Sequence, residues 1–367
     1  PQWFESNADL VERYGDRIPD REGWEGKYWS PIEAAEHLHV REHVGLHDMT
    51  AFNKMEVVGA DASSFVQRLC TNDMTLDVGE VKYTLMCNEA GGVRADITVT
   101  RLATDRYLLL TTGREVGNNH VAWVREQAPA SVVVNDVTSK LAAMVCTGPD
   151  ARDVLSSVLD TDLSDEAFPF FSMQRTFAKN VPVTAMRLSY AGELGWELYT
   201  PSEYGERLWE HVMDAGAEYN IRPYGNGALN ALRIEKGFRL WGEDLHTEHT
   251  PIEAGLEWAV DMDTEFIGKE ALTEPAMAAA DGGQPHHKVA CLTLDDTDAT
   301  ILSDRPVFAP GTDESLGYVH SAEYGYSAGA CVAYGYLPPA YADPGTAVEI
   351  LFEGDRYAAT VREEPVV

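Results

Sequence analysis

Basic side chains are scarce in this sequence. Its 28 lysines and arginines face 60 aspartates and glutamates, for a formal charge of −32. That balance argues against nucleic acid and anionic membrane surfaces as partners, because both call for a positive face. Cysteine is sparse as well: Cys70, Cys87, Cys146, Cys291 and Cys331 lie far apart, and no CxxC pair suggests redox chemistry or a zinc site. They read as buried thiols in a reducing compartment. No run approaches the roughly 18 apolar residues of a membrane span, and the opening PQWFESNADLVERYGDR lacks the basic and apolar regions of a signal peptide. A cytoplasmic protein is expected. GxGxxG, GxxxxGK[ST] and HExxH are all missing, which removes the usual sequence support for nucleotide and zinc chemistry.

What is present fits a globular chain. With 367 residues and 44% hydrophobic content, it can hold two or three domains with real cores and enclose a ligand pocket. The acids are dispersed rather than gathered in a tail, so they repel one another unless salt screens them; near 1 M salt the Debye length falls to about 3 Å. Most of the basic residues are arginine. A salt-adapted, halophilic protein is the expectation.

Apolar spacing predicts a helix in IEAAEHLHVREHVG, a strand in NKMEVVG, and a helix in DASSFVQRLCTND opened by the capping residue Asp61. Strands on either side of NEAGG, the strand RYLLLTT and the helix REVGNNHVAWVREQAP complete a mixed unit. SKLAAMVCTG, PDARDVLSSVLD, VPVTAMRLSY, WELYT and SEYGERLWEHVMDAGAEY repeat that pattern. LTEPAMAAADGGQPHH reads as a linker, and short strands follow it. The fold class is therefore α+β: two mixed α/β units, over 1–139 and 140–272, and a small β barrel over 285–367.

Three segments could carry chemistry. In KYTLMCNEAGGVRADITV the carboxylate Asp96 sits in an otherwise apolar strand; it is either a solvent-facing alternate with Arg94 and Thr98 or an acid kept for function. A two- or four-residue loop would set Tyr83 opposite Asp96, whereas a three-residue loop would set it opposite Ile97 on the other face, and strand alternation favours the latter. SYAGELGWELYT places Tyr190 and Glu197 around a glycine-bracketed turn, where an aromatic shelf and a carboxylate could hold a flat heterocycle. ALRIEKGFRLWGEDLHTEHTPIEAGLEWAV runs from a helix with Arg233 and Glu235 into a loop. Its His246 and His249 read as surface residues without a partner at metal-ligand spacing, so no metal is expected.

VREHVGLHDMTAFNKMEVVGADASSFVQRLCTND, YTLMCNEAGGVRADITV, SYAGELGWELYT and HTPIEAGLEWAV resemble, in order, the tetrahydrofolate-binding aminomethyltransferase superfamily that includes the glycine-cleavage T-protein. GYVHSAEYGYSAGACVAYGYLPP and GTAVEILFEGDRYAATV resemble its C-terminal barrel, so the likeness runs from about residue 34 to 367. PQWFE, SYAGELGWELY and LRIEKGFRLWGEDL are most similar to the folate-dependent half of dimethylglycine and sarcosine dehydrogenases. Where T-proteins carry an arginine, this chain has Leu229.

The resemblance implies a three-lobed fold with tetrahydrofolate in a central channel. It implies Asp96 as the catalytic carboxylate and Tyr83, Tyr190, Glu197, Arg233 and Trp258 as residues that bind the folate. The expected activity is transfer of a one-carbon unit from an N-methylamine-derived iminium or aminomethyl donor to tetrahydrofolate. No flavin fingerprint is present, so a flavin amine oxidase or dehydrogenase, as a separate subunit or a fused domain missing from this chain, is the expected partner. Three alternatives share the scaffold: a T-protein, a methyl-transferring demethylase, and a non-enzymatic folate-binding protein. The last carries KGCYxGQE, where this chain reads KGFRLWGED.

Overall fold

The computed structural model describes residues 1–273 and 287–367. The linker read in LTEPAMAAADGGQPHH lies almost wholly outside them. In chain order come α1 (Ala8–Tyr14), α2 (Pro31–Glu42), β1 (Gly45–Asp48), β2 (Phe52–Gly59), α3 (Ala62–Leu69), β3 (Val81–Cys87), β4 (Val93–Ala103), β5 (Arg106–Gly113), α4 (Arg114–Gln127) and β6 (Val132–Asp136). Next are β7 (Leu141–Thr147), α5 (Ala151–Ser156), β8 (Met173–Ala178), β9 (Val181–Met186), β10 (Gly195–Pro201), α6 (Gly205–Ala215), β11 (Arg222–Pro223) and α7 (Asn226–Glu235). The C-terminal part adds β12 (Lys288–Leu294), β13 (Pro306–Phe308), β14 (Ser315–Gly325), β15 (Ala330–Leu337), β16 (Ala347–Phe352) and β17 (Asp355–Arg362).

One sheet has the order β3-β4-β5-β2-β6 and is antiparallel throughout. A second has the order β11-β1-β7-β10-β9-β8, with only the short β1–β11 pair parallel. The six C-terminal strands close into a barrel. Its closing strand β13 escaped the sequence reading because Pro306–Phe308 is too short to show alternation.

Side-chain alternation builds the layers. On β4, Ala95, Ile97 and Val99 join Phe65, Val66 and Leu69 of α3 and Val121 and Val124 of α4 in one core. On β10, Trp196 and Leu198 do the same with Leu208 and Val212 of α6. The opposite faces, Leu108 and Leu110 from the first sheet and Ala143, Val145, Met186 and Tyr199 from the second, pack against each other. The barrel core extends to Ala34, Ala35 and Leu38 of α2 and to Leu10 and Tyr14 of α1, so the N-terminal helices tie the barrel to the sheets. Asp61 does precede α3, but its carboxylate accepts from Ser131 Oγ at 2.5 Å and makes no cap bond to the helix.

Candidate active site

Because successive strand residues face opposite ways, the even positions of β4 beyond the bulge at Arg94 point away from α3 and α4 and toward the second sheet. Asp96 is one of them. It is surrounded by protein yet keeps part of its surface accessible. Burial is the main cause that raises its carboxyl from the ordinary 3.8 to about 6, and the charge of Asp244 adds to it.

Tyr83 stands beside it, though in neither register expected from the sequence. Leu85 is opposite Asp96 and Tyr83 is opposite Thr98, so Tyr83 and Asp96 share a face as diagonal neighbours. The reason is a longer turn than alternation assumed. Pairing resumes at Cys87 and Val93 after a bulge next to Met86, and the intervening turn is closed by Asn88, which bonds Gly92 through both its backbone N–H and its side-chain oxygen. Tyr83 donates its hydroxyl to Asp96 Oδ2 at 3.4 Å. Burial keeps this phenol far from ionisation, so it remains a donor.

Two aromatic pairs flank the acid. Trp258, 63% exposed, stacks over Tyr83 with ring centres 5.3 Å apart. Tyr190 stacks on Phe238 at 5.9 Å and donates its hydroxyl to the Arg239 carbonyl at 2.6 Å. Phe238 had no sequence signal of its own.

Arg233, 1% exposed, is held rather than free. Its Nη1 donates to Asp244 Oδ2 at 2.6 Å and to the Phe238 carbonyl, and Nε donates to Asn230 Oδ1 at 2.9 Å. Asp244 also accepts from Ser321 Oγ and the Leu240 N–H. Arg233 Nη2 alone has no hydrogen-bond partner among the described residues. Asp244 was not foreseen, since nothing in WGEDL distinguishes one acid from its neighbour.

Glu197 lies deeper in the inter-sheet layer. It faces the first sheet from β10 and is 5% exposed. Burial is again the leading cause that lifts its carboxyl to about 7, while Tyr199, donating its hydroxyl, and Lys54 pull the other way. Lys54 is itself fully buried, donates to the Thr50 and Phe52 carbonyls, and is lowered by burial to about 8. Glu197 has no direct contact with the Asp96 group. Both face the same layer, however: Thr100, four residues beyond Asp96, donates to Met186 Sδ at 3.4 Å, and Met186 is the cross-strand partner of Glu197.

Gly92 fixes the loop that carries Asp244. A Cβ there would stand 2.0 Å from the Thr247 carbonyl, so only glycine lets the 240–250 segment cross the hairpin so closely. Val93 then donates its N–H to the His249 carbonyl at 2.8 Å. His246 and His249 are not the solvated surface residues expected; both are half-buried and cluster with His320. Two cavities of about 390 Å³ open elsewhere. Neither holds Asp96, but one, rimmed by Arg106, Lys140 and Arg175, reaches Tyr199, the partner of Glu197.

Two sheets, antiparallel except for the short β1–β11 pair, meet at an acid-bearing layer beside a six-stranded barrel, and known proteins share the arrangement. The family model "GCVT N-terminal domain" matches residues 1–264, and "Glycine cleavage T-protein C-terminal barrel domain" matches 287–367. The chain belongs to the glycine-cleavage T-protein family.

It is 33% identical to mitochondrial dimethylglycine dehydrogenase of Rattus norvegicus over all of this chain and 42% of that protein. It is 31% identical to an aminomethyltransferase of Bacillus mycoides, over 97% of this chain and 96% of that one. The chain thus spans less than half the length of the dehydrogenase relative. The crystal structure of glycine cleavage system aminomethyltransferase T from Bartonella henselae superposes with a TM-score of 0.80 at 26% identity, covering 98% of this chain and 97% of that one. Among the described residues no helix is long and apolar enough to cross a membrane.

Proposed function

We propose that this chain transfers a one-carbon unit from an N-methylamine-derived iminium, of the dimethylglycine or sarcosine type, to tetrahydrofolate, giving 5,10-methylenetetrahydrofolate. The observation that carries the reading is Asp96: a half-buried acid raised to about 6, with a tyrosine hydroxyl at 3.4 Å and a stacked Tyr83–Trp258 pair beside it. A carboxylate with that pKa is mostly ionised at neutral pH yet can still carry a proton, as general acid–base work requires.

In the proposed step the N5 lone pair of tetrahydrofolate forms a bond to the iminium carbon and the C=N π electrons return to the donor nitrogen. The N5 proton passes to Asp96. N10 then bonds to the same carbon and the C–N bond to the donor breaks. The departing amine takes the proton from Asp96, and the N10 proton is lost to water. Until it takes the N5 proton, the Asp96 anion stabilises the cationic carbon. Tyr83 holds the carboxylate in place and Trp258 and Tyr190 supply flat faces for a heterocycle. Glu197, on the β10 face of the same inter-sheet layer, would accept from the amino and N–H edge of the pterin.

The donor follows from the dehydrogenase-like wording and from Leu229, which packs in the apolar inter-sheet cluster where T-proteins have an arginine. A flavin amine oxidase, as partner or fused domain, would supply the iminium. One observation favours a second reading, aminomethyl transfer from a lipoyl carrier: the likeness to the Bacillus aminomethyltransferase runs through 96% of that protein.

Titrating tetrahydrofolate into the chain while recording tryptophan fluorescence tests the site. Saturable quenching that is largely lost in Trp258→Phe supports it. Quenching unchanged in that variant, or absent in the parent chain, contradicts it. Supplying an iminium donor and an aminomethyl-lipoyl donor in parallel separates the two readings by which one yields methylenetetrahydrofolate.

A further inference from the structure

Outside the proposed folate slot, three imidazoles converge. His246 and His249 lie on the loop that leaves Asp244, and His320 lies on β14 of the barrel, 71 residues further along the chain. One ring nitrogen from each falls within 4.8 Å of the others. A tetrahedral ion with metal–nitrogen bonds of about 2.0–2.1 Å sets its ligand atoms about 3.4 Å apart. The two half-buried loop histidines would need to close in only by about 1 to 1.5 Å.

The surroundings suit a ligand role. His320 Nδ1 is 3.0 Å from the Glu243 carbonyl, which can only accept, so Nδ1 carries the hydrogen and Nε2 keeps a free lone pair. A carbonyl on the far nitrogen is the usual way a metal-binding histidine is oriented. His249 is fixed by stacking on Tyr336 with ring centres 3.6 Å apart, and its Nε2 is buried without a hydrogen-bond partner. His320 stacks on Tyr318 at 4.3 Å. Glu248 stands at the rim with its carboxylate 3.8 Å from His246 Nδ1.

We propose that His246, His249 and His320 form a site for a divalent first-row transition ion of the zinc class, with water or the Glu248 carboxylate as the fourth ligand. Three imidazoles favour zinc, nickel or copper over magnesium or calcium, which select oxygen. The ion would clip the 244–250 loop to the barrel. That loop carries Asp244, the ion-pair partner of Arg233, and His249, whose carbonyl accepts from Val93 on β4. The site is independent of which one-carbon donor the chain uses.

The test uses the untagged, metal-stripped chain in excess magnesium, which occupies the carboxylate sites that so acidic a surface offers. Zinc is titrated against a chromophoric chelator, cobalt(II) is followed by its visible ligand-field bands, and melting is recorded with and without zinc. The expected result is one ion per chain, intense four-coordinate cobalt bands, and a melting temperature that zinc raises. His246→Gln and His320→Gln should each weaken zinc binding by at least about tenfold, the loss seen even for outer-shell partners. His211→Gln, on α6, should not. His246 is half-buried, so its variant reads out even if His320→Gln folds poorly. Zinc binding that is sub-stoichiometric, that lacks the cobalt bands, or that is equally strong in His246→Gln overturns the proposal and leaves the cluster a stacked packing motif.

Discussion

Replacing Asp96 by asparagine keeps the shape of the side chain and removes its charge and its basicity. A full charge about 4 Å from a cationic carbon is worth about 4 kcal/mol at an effective dielectric constant near 20, and the accessible part of Asp96 lowers that. Loss of a positioned base alone slows a reaction by about 10²–10⁴-fold. Turnover in Asp96→Asn should therefore fall by about 10²–10³-fold, with tetrahydrofolate binding within a few-fold of the parent. The parent rate should rise with pH between 5 and 7 as the carboxyl, near 6, loses its proton. The variant should be flat across that window.

Stability should move the other way. The folded pKa is raised from 3.8 to about 6, so between those values the folded state binds more protons than the unfolded state, and this group's contribution to stability is lost as pH climbs from 4 to 6. Asp96→Asn should thus be no less stable than the parent at pH 7, by up to about 3 kcal/mol in its favour before solvent access is discounted. The assays are methylenetetrahydrofolate formation in molar potassium chloride from pH 5 to 8, and chemical denaturation at pH 5 and 7. Parent-like turnover, or a surviving pH limb near 6 in the variant, would refute the role given to Asp96.

Glu197→Gln should weaken tetrahydrofolate binding by about 10–100-fold, because an acceptor facing two donors is replaced by an amide that presents a donor of its own; an unchanged dissociation constant by calorimetry removes Glu197 from the pocket. Arg233→Met leaves Asp244 buried without its counter-ion and should cost about 3–5 kcal/mol in urea titrations. Arg233→Met combined with Asp244→Asn should recover part of that loss, and fully additive losses would mean the pair is not coupled. Melting temperature should rise as potassium chloride goes from dilute to molar, given the −32 charge; a flat or falling curve contradicts salt adaptation.

The two mixed units and the barrel were legible because apolar runs of helix or strand length are separated by turn residues, as α2, β2 and α3 are. Strand alternation alone put Tyr83 on the wrong face, where the resemblance put it beside Asp96, because alternation along Val81–Cys87 carries no information about a bulge or the five residues left unpaired at the turn. Arg233 drew notice as a charge on a helix end, but its pairing with Asp244 is a tertiary contact across eleven positions of an irregular segment. The same holds more strongly for His246, His249 and His320. Two of them are close in sequence and the third arrives only when β14 folds against the loop, so spacing offered no ligand set. Lys54 beside Glu197 was hidden likewise, since a lysine in a strand ordinarily faces water.

The measurement closest to the central claim is the fate of the one-carbon unit when a flavin amine oxidase turns over its N-methyl substrate in molar salt with tetrahydrofolate present. Tetrahydrofolate held beside the emerging iminium captures it before water does, through high effective concentration. Adding this chain should raise methylenetetrahydrofolate at the expense of free formaldehyde, Asp96→Asn should not, and the chain alone should leave dimethylglycine and sarcosine untouched. A product ratio unchanged by the chain, or one shifted equally by Asp96→Asn, would contradict the account.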